Sequence, residues 1–461
     1  MACFREEQDS MGRVSVPEEA YYGAQTQRAG DNFRISGLRF PPVFYMALGL
    51  IKKHAAIANR DLELLDEKIS GAIIAASEQI INGKFNDQFI VDVFQTGSGT
   101  STNMNANEVI SGRANEIITG KRGGKSPVHP NDHVNKGQSS NDVIPSAIHI
   151  ASAVEINKAL LPAMKHLFLC LDEKVKKFKD IKKIARTHLQ DAVPITLGQE
   201  FGGYSRQVSL NIERIGSIRN RLCELALGGT AVGTGVNTHP EFAGKTIQGI
   251  SRETGIEFKE TANHFEAQAS KDTIVELSGI LKTYAVGLTK IANDIRWLSS
   301  GPRCGLGEIN IPDLQPGSSI MPGKINPVIP EAVLQVAAQV IGNDTAITIC
   351  GQSGNFELNV MMPVMGYNIL QSIQLLASAS TAFADKCVKG ISPNRDKCEA
   401  TLEKSLSLAT ALVPETGYDR AAEIAKQAYK EGKTIRETAK DMKIITAKKA
   451  DSLLNKMIRG S

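Results

Sequence analysis

Lys271-Asp-Thr-Ile-Val-Glu-Leu-Ser-Gly-Ile-Leu-Lys-Thr-Tyr-Ala-Val-Gly-Leu-Thr-Lys-Ile-Ala-Asn-Asp-Ile-Arg-Trp-Leu298 carries the clearest periodicity in the chain. Its apolar residues Ile274, Leu277, Leu281, Tyr284, Leu288, Ile291, Ile295 and Leu298 alternate at spacings of three and four. That is the heptad seam of a helix lying at a shallow angle along another long helix. Val275, Ile280, Ala285 and Val286 extend the apolar surface beside the seam, so the helix predicts more than one neighbour. A bundle inside one monomer satisfies this pattern, and so does one shared between subunits; the length of the helix favours the second.

The remaining composition agrees with a helical core. The 461 residues are 42% hydrophobic, too apolar for a disordered chain, yet they include only 15 Phe, 8 Tyr and the single Trp297. Such a core is built from Ala, Ile, Leu and Val, which suits close helix packing better than sandwiches or propellers. Charge is nearly balanced, 53 Lys+Arg against 49 Asp+Glu, which excludes nucleic-acid binding driven by bulk charge. Seven scattered cysteines without a CxxC pair point to free thiols in a reducing compartment. The stretch from Met1 to Ser10 lacks the features of a signal or transit peptide, and no apolar run nears the roughly 18 residues that span a bilayer. The expectation is a cytoplasmic protein with no membrane partner.

Along the chain, a helical piece from Val43 to Ala58 is followed by two loops dense in small polar residues, Gln95 to Asn103 and His129 to Asn141. Loops of that length inside a compact domain are usually functional or disordered, and the absence of charge blocks argues against disorder. Between Ile144 and about Lys389 long helices dominate. One starts at Pro330 and reaches Ile341, with proline suited to a first turn. Another covers Ser146 to about Lys176, with Pro162 kinking or dividing it. From Gly390 a small separate domain follows, with short charged helices at Asp419 to Glu431 and Thr434 to Met442.

Three familiar motifs fail on inspection. Gly317-Ser-Ser-Ile-Met-Pro-Gly323-Lys324 has five residues between its glycines where a phosphate loop needs four, and Ile325 where Ser or Thr should bind Mg²⁺. Gly233-Thr-Gly235 lacks the third glycine of a dinucleotide site. His129 and His133 share a metal-pair spacing, but Pro130 argues against the helix that would align them. No metal and no organic cofactor is expected. What remains is a set of donor-rich loops: Thr96, Ser98 and Thr100 to Asn103; Ser139, Ser140 and Asn141; Thr187-His188; and Ser318, Ser319, Lys324 and Asn326. Many neutral donors around one fixed cation suit a small multiply charged anion such as a dicarboxylate.

These loops resemble a family. Gly317-Ser-Ser-Ile-Met-Pro-Gly-Lys-Ile-Asn-Pro327 is very similar to the hallmark of the fumarase/aspartase superfamily, and the likeness extends to Gln95–Asn105, His129–Asp142, Thr187–Glu200, Gly228–Pro240 and Ser353–Asn359. His129-Pro-Asn-Asp132 and Trp297-Leu-Ser-Ser-Gly-Pro-Arg-Cys304 resemble class II fumarase, the iron-independent branch. Phe94 replaces the Trp usual before Gln-Thr-Gly-Ser-Gly, and Ser101-Thr102 and Pro327-Val-Ile-Pro-Glu331 look more like aspartase; all flank the donors without replacing one.

The resemblance implies an all-α fold of three domains, at 1–138, 139–390 and 391–461. The central long helices would form a twenty-helix core in a homotetramer, with each active site drawing loops from three subunits. It implies a hydro-lyase of the tricarboxylic acid cycle, reversibly hydrating fumarate to L-malate by anti addition through an aci-carboxylate carbanion. Ser318, His188, Glu331 and Lys324 take catalytic positions. Ser98, Thr100, Ser139, Ser140, Asn141, Thr187, Ser319 and Asn326 bind substrate, while His129, Asn131 and Asp132 match a second dicarboxylate site. Ser318 is the implied base and His188, paired with Glu331, serves the leaving hydroxyl; residue chemistry alone leaves the reverse assignment open. An aspartate ammonia-lyase shares these loops, and a non-catalytic helical scaffold is the more distant alternative.

Overall fold

Every residue of the predicted seam is buried along the Asp272–Leu298 helix in the computed structural model, which describes residues 3–459. Helices dominate, and the strands among the described residues pair only in twos. The protein has the all-α fold expected, and its described residues fall into two compact units.

The first unit comprises the chain up to Pro162, Glu213–Ala285 and Ala338–Ala377. At its centre the Pro42–Asp61 helix packs against Glu67–Ile81, Ser140–Glu155 and Phe242–Thr254. Local sequence sets these boundaries. Pro42 begins its helix, where a missing N–H costs nothing, and the Asp66 side chain caps the next by accepting the N–H groups of Lys68 and Ile69. The nearly buried Glu108 of the Thr100–Thr119 helix accepts the N–H groups of Gly23, Gln25 and Thr26, placing a carboxylate at the positive end of the Ala24–Asn32 helix.

The second unit comprises Ala163–Ile212, Val286–Ala337 and the chain from Ser378. It holds the antiparallel hairpin Lys182–Thr187 and Gln190–Thr196. A terminal helical cluster packs around Leu408, Leu412, Ile424, Ala428, Ile435 and Leu454. The short helices predicted there are Tyr418–Glu431 and Ile435–Asp441, the second opened by a capping box between Thr434 and Glu437.

Several expectations change in detail. The helix expected from Ser146 starts at Ser140 and is interrupted by a wide π-turn over Ile156–Leu160 before resuming as Leu161–Lys177. The wide turn ends just ahead of Pro162, whose ring cannot accept an ordinary preceding turn. The supposed loop from Gln95 to Asn103 ends at Gly99, and Thr100–Asn103 form the first turn of a helix. Pro130 does not prevent helix, because it occupies the first position of a π-turn, Pro130–Val134.

Val328–Gly351 is, among the described residues, one helix long and apolar enough by length and composition to cross a membrane, although Glu331, Asp344, its glutamines and Asn343 keep every consecutive apolar run short. Pro330, Val333, Ala337, Val340, Ile347 and Cys350 form its buried stripe, and Asp344 accepts Ser278 Oγ at 2.8 Å and Lys282 Nζ at 2.6 Å. The opposite side presents Ala332, Ala338, Ile341, Gly342, Thr345 and Ile349, all exposed and uncharged.

Candidate functional site: two helix N-termini, a pinched serine loop and a hairpin tip

In the first unit, two helices start where the donor-rich loops end. Thr100 opens Thr100–Thr119 and Ser140 opens Ser140–Glu155. Their hydroxyls are 2.6 Å apart, and Ser98 Oγ lies 2.9 Å from Thr100 Oγ1, so three hydroxyls form one chain. Ser139 is the N-cap: its Oγ accepts the Asn141 N–H, and Asp142 returns the bond to the Ser139 N–H in a capping box. Asn141 donates Nδ2 to the Ala231 carbonyl at 2.8 Å. The arrangement places Ser98, Thr100, Ser139, Ser140 and Asn141 around two helix N-termini, where backbone N–H groups and dipoles favour an anion.

Behind these donors lies a buried polar hub. Asp142 is fully buried, and its Oδ2 accepts the N–H groups of Gly228 and Thr230. Burial pushes its carboxyl up to about 6, against the pull of those N–H groups and of Lys52. Lys52 is itself fully buried, donating to Asn135 Oδ1 at 3.0 Å and Gln138 Oε1 at 2.9 Å, and burial pushes it down to about 7. Asn103 and Asn107 also donate to Asn135 Oδ1. The segment leading into Ser139 is thus fastened to two helices.

His129, Asn131 and Asp132 lie together at the π-turn. His129 Nδ1 accepts the N–H groups of Asn131 and Asp132 and lies 3.4 Å from the Asp132 carboxylate. His133 Nδ1 accepts the His129 N–H, and burial holds the His133 imidazole below its ordinary pKa.

In the second unit, the loop from Gly317 to Asn326 is pinched at its neck. Gly317 N–H donates to the Lys324 carbonyl at 2.7 Å, and Asn326 Nδ2 donates to the Gly317 carbonyl at 2.8 Å. A Cβ at Gly317 would come within 2.7 Å of that Lys324 oxygen, so only glycine fits this neck. Inside the loop, Ser318 Oγ accepts the N–H groups of Ile320 at 3.2 Å and Met321 at 3.0 Å. Lys324 Nζ donates to Asn326 Oδ1 at 2.7 Å. Ser319 is exposed on the same loop. Lys324, Asn326 and Glu331 line an open cleft of about 980 Å³ with Asn293, Arg296 and Trp297.

Thr187 and His188 are at the tip of the hairpin. Thr187 pairs with Gln190, so His188 and Leu189 form a two-residue turn, with φ of 56° and 58°. Both residues are exposed. No hydrogen bond or ion pair joins His188 to Glu331 among the described residues: the histidine is on a projecting tip and the glutamate on the first turn of Val328–Gly351. The predicted pair is therefore not made inside one chain.

Sequence reasoning missed Lys52 and Asp142, which brace the donors of the first unit from behind, and Glu308, whose carboxylate accepts Arg186 next to Thr187 in the second. Asp142 had a local signal, since a Ser-x-x-Asp spacing is a capping box. Lys52 and Glu308 had none, because their partners are distant in sequence.

Residues 12–342 match a family model described as "Lyase", and residues 408–458 match one described as "Fumarase C C-terminus". The fold and the dispersed donor loops thus define a lyase. The class II fumarate hydratase of Methylorubrum extorquens is 53% identical over 442 residues, covering 96% of this chain and 94% of that protein. The mitochondrial fumarate hydratase of Danio rerio is 54% identical, covering 95% of this chain and 86% of that protein. A crystal structure of recombinant class II fumarase from Schistosoma mansoni superposes with a TM-score of 0.96 at 40% identity, covering 99% of this chain and 98% of that one. This chain belongs to the lyase family, in its class II fumarate hydratase branch.

Proposed function

We propose that this chain is a hydro-lyase that reversibly hydrates fumarate to L-malate. The observation that carries the reading is the Ser318 hydroxyl, held under two backbone N–H groups on a loop that also presents Lys324 and Asn326. A serine hydroxyl is a poor base unless its alkoxide is stabilised, and two aimed N–H donors, on a loop that also carries the Lys324 cation, support that stabilisation. The curated relatives carry the same activity in their names.

In the malate-to-fumarate direction, Ser318 removes the C3 proton and the electron pair moves into the adjacent carboxylate. Lys324 and Asn326 stabilise the resulting aci-carboxylate, each donor supplying about 3 kcal/mol by analogy with an oxyanion hole. Thr100, Ser140 and Asn141, with Ser98, Ser139, Thr187 and Ser319, clamp the carboxylates. On the opposite face His188 delivers a proton to the departing C2 hydroxyl, directly or through water, which makes the elimination anti. Glu331 of another subunit completes the pair that one chain leaves open. His129, Asn131 and Asp132 form the second dicarboxylate site, which binds and does not catalyse.

The exposed uncharged face of Val328–Gly351 supports a homotetramer with a twenty-helix core, in which each active site draws loops from three subunits. The chain then divides by role into 1–138 and 139–390, which carry the donors, and 391–461. A cytoplasmic setting accords with seven free cysteines.

Following fumarate's ultraviolet absorbance from L-malate and then from L-aspartate tests the reading. Fumarate should form from malate alone. Formation from aspartate makes the chain an ammonia-lyase, and a tetramer inert toward both makes it a scaffold.

A further inference from the structure

Two left-handed residues in succession at a hairpin tip call for asparagine and glycine, yet this tip is His188-Leu189. Leu189 is 67% exposed, so packing in the chain does not offset the backbone cost. Something behind the tip must hold it. Arg186, two residues before His188, donates a fork to the Glu308 carboxylate, Nη2 to Oε1 at 2.7 Å and Nη1 to Oε2 at 3.1 Å. Lys183 Nζ lies 3.2 Å from Glu308 and 3.2 Å from Glu200, and donates to the Ile184 carbonyl at 3.0 Å. Glu308 and Lys183 are fully buried. The Glu308 backbone is fixed as well: its N–H donates to the Leu298 carbonyl and its carbonyl accepts the Asn394 N–H, both at 2.8 Å.

We propose that Glu308 is a positioning residue for His188, its carboxylate gripping Arg186 so that the strained tip stays in the conformation that presents the imidazole. A buried ion cluster adds little stability over well-packed apolar residues of the same volume, so stability alone is a weak reason for this one. What a planar fork supplies is direction. It joins the end of the Asp272–Leu298 helix to the strand that leads into His188, and the strand shifts register between Ile184 and Arg186, where the fork takes hold. On the other strand, Ser407 Oγ donates to the Ala192 carbonyl, so both arms are anchored while the tip is free.

The inference rests on His188 serving the reaction, so His188→Asn is measured in parallel. In Glu308→Gln, kcat for malate dehydration should fall about tenfold to a hundredfold, the size expected of a catalytic group displaced by about an ångström. KM should change by less than about threefold, because the clamp is untouched. Adding Leu189→Gly, which relaxes the turn, should restore most of the lost kcat relative to Leu189→Gly alone. Arg186→Lys, which keeps the charge and gives up the fork, takes the place of Glu308→Gln should that variant not fold, with the same outcomes expected. Full kcat in the fork variant beside a disabled His188→Asn overturns the positioning role and leaves the proposed reaction intact. A loss that Leu189→Gly does not recover also overturns it, reducing Glu308 to a structural residue. Full activity in His188→Asn overturns the role given to His188 itself.

Discussion

Thr100 Oγ1 and Ser140 Oγ are 2.6 Å apart although forty positions separate them in the chain. Each hydroxyl opens a helix, so a ligand carboxylate there meets two helix N-termini at once. Because each hydroxyl orients the other, their contributions to binding are coupled. Thr100→Ala and Ser140→Ala should each raise KM for malate by about tenfold, near the lower end of the roughly 1.5–3 kcal/mol of a hydrogen bond to a charged group. The double variant should cost less than the product of the two. Steady-state kinetics on all four proteins check this, and strict additivity would show that the pair does not act together.

Ser318 yields a different signature. Its Oγ is held by the N–H groups of Ile320 and Met321, not by a residue of the carboxylate clamp. Ser318→Ala should therefore lower kcat by several orders of magnitude while calorimetry still records near-normal fumarate binding, the mark of an interaction made only in the transition state. Normal turnover in this variant would remove Ser318 from the role of base.

The neck of the same loop makes a sharper steric prediction. In Gly317→Ala the new methyl would meet the Lys324 carbonyl at 2.7 Å and the Asn326 N at 2.9 Å, backbone atoms that cannot rotate aside. The loop must open, carrying Lys324 and Ser318 away from each other. We expect kcat to fall by about a hundredfold or more with an unchanged melting temperature, since the loop is exposed and contributes little to the core. Paired activity and thermal unfolding measurements decide the point.

How far the chain could be read depended on the range of the interaction. The seam from Ile274 to Leu298 was legible because a 3-4 spacing is itself the geometry of helix packing. Glycine-rich loops were legible as donors, but the point where Gly99 yields to helix was not: Thr100, Ser101 and Thr102 are weak helix formers. Thr100–Ser140, Lys52–Gln138 and Arg186–Glu308 all join residues tens of positions apart, and no local pattern marks them. Lys52 in particular reads as an ordinary helix cation until burial is known.

Lys52 also carries a pH prediction. Burial pushes its folded-state pKa down to about 7, against about 10.4 in an unfolded chain. Below pH 7 both states hold the proton and the buried charge weighs fully on the fold. Between 7 and about 10 the unfolded chain binds more protons, so this group's contribution to stability rises with pH. Relative to Lys52→Met, the parent protein should gain on the order of 2 kcal/mol between pH 7 and 9. Urea unfolding of both proteins at one fixed concentration tests this, and a difference that is flat or falls with pH would contradict it.

The outer face of Val328–Gly351 tests the proposed assembly and its link to activity. Ile341 is 39% exposed and Ile349 50% exposed on a helix whose exposed side carries no charge over the stretch from Ala332 to Gly351. In water such a face is unfavourable unless another surface covers it. Ile349→Lys places a charge where a neighbouring subunit's helix would lie, and an unpaired charge in a packed interface costs several kcal/mol. Sedimentation should show smaller species, with helix content retained in circular dichroism. Activity should fall with assembly and recover at high protein concentration, because His188 and Glu331 do not meet within one chain. A dispersed monomer with full activity would mean that each chain carries a complete site.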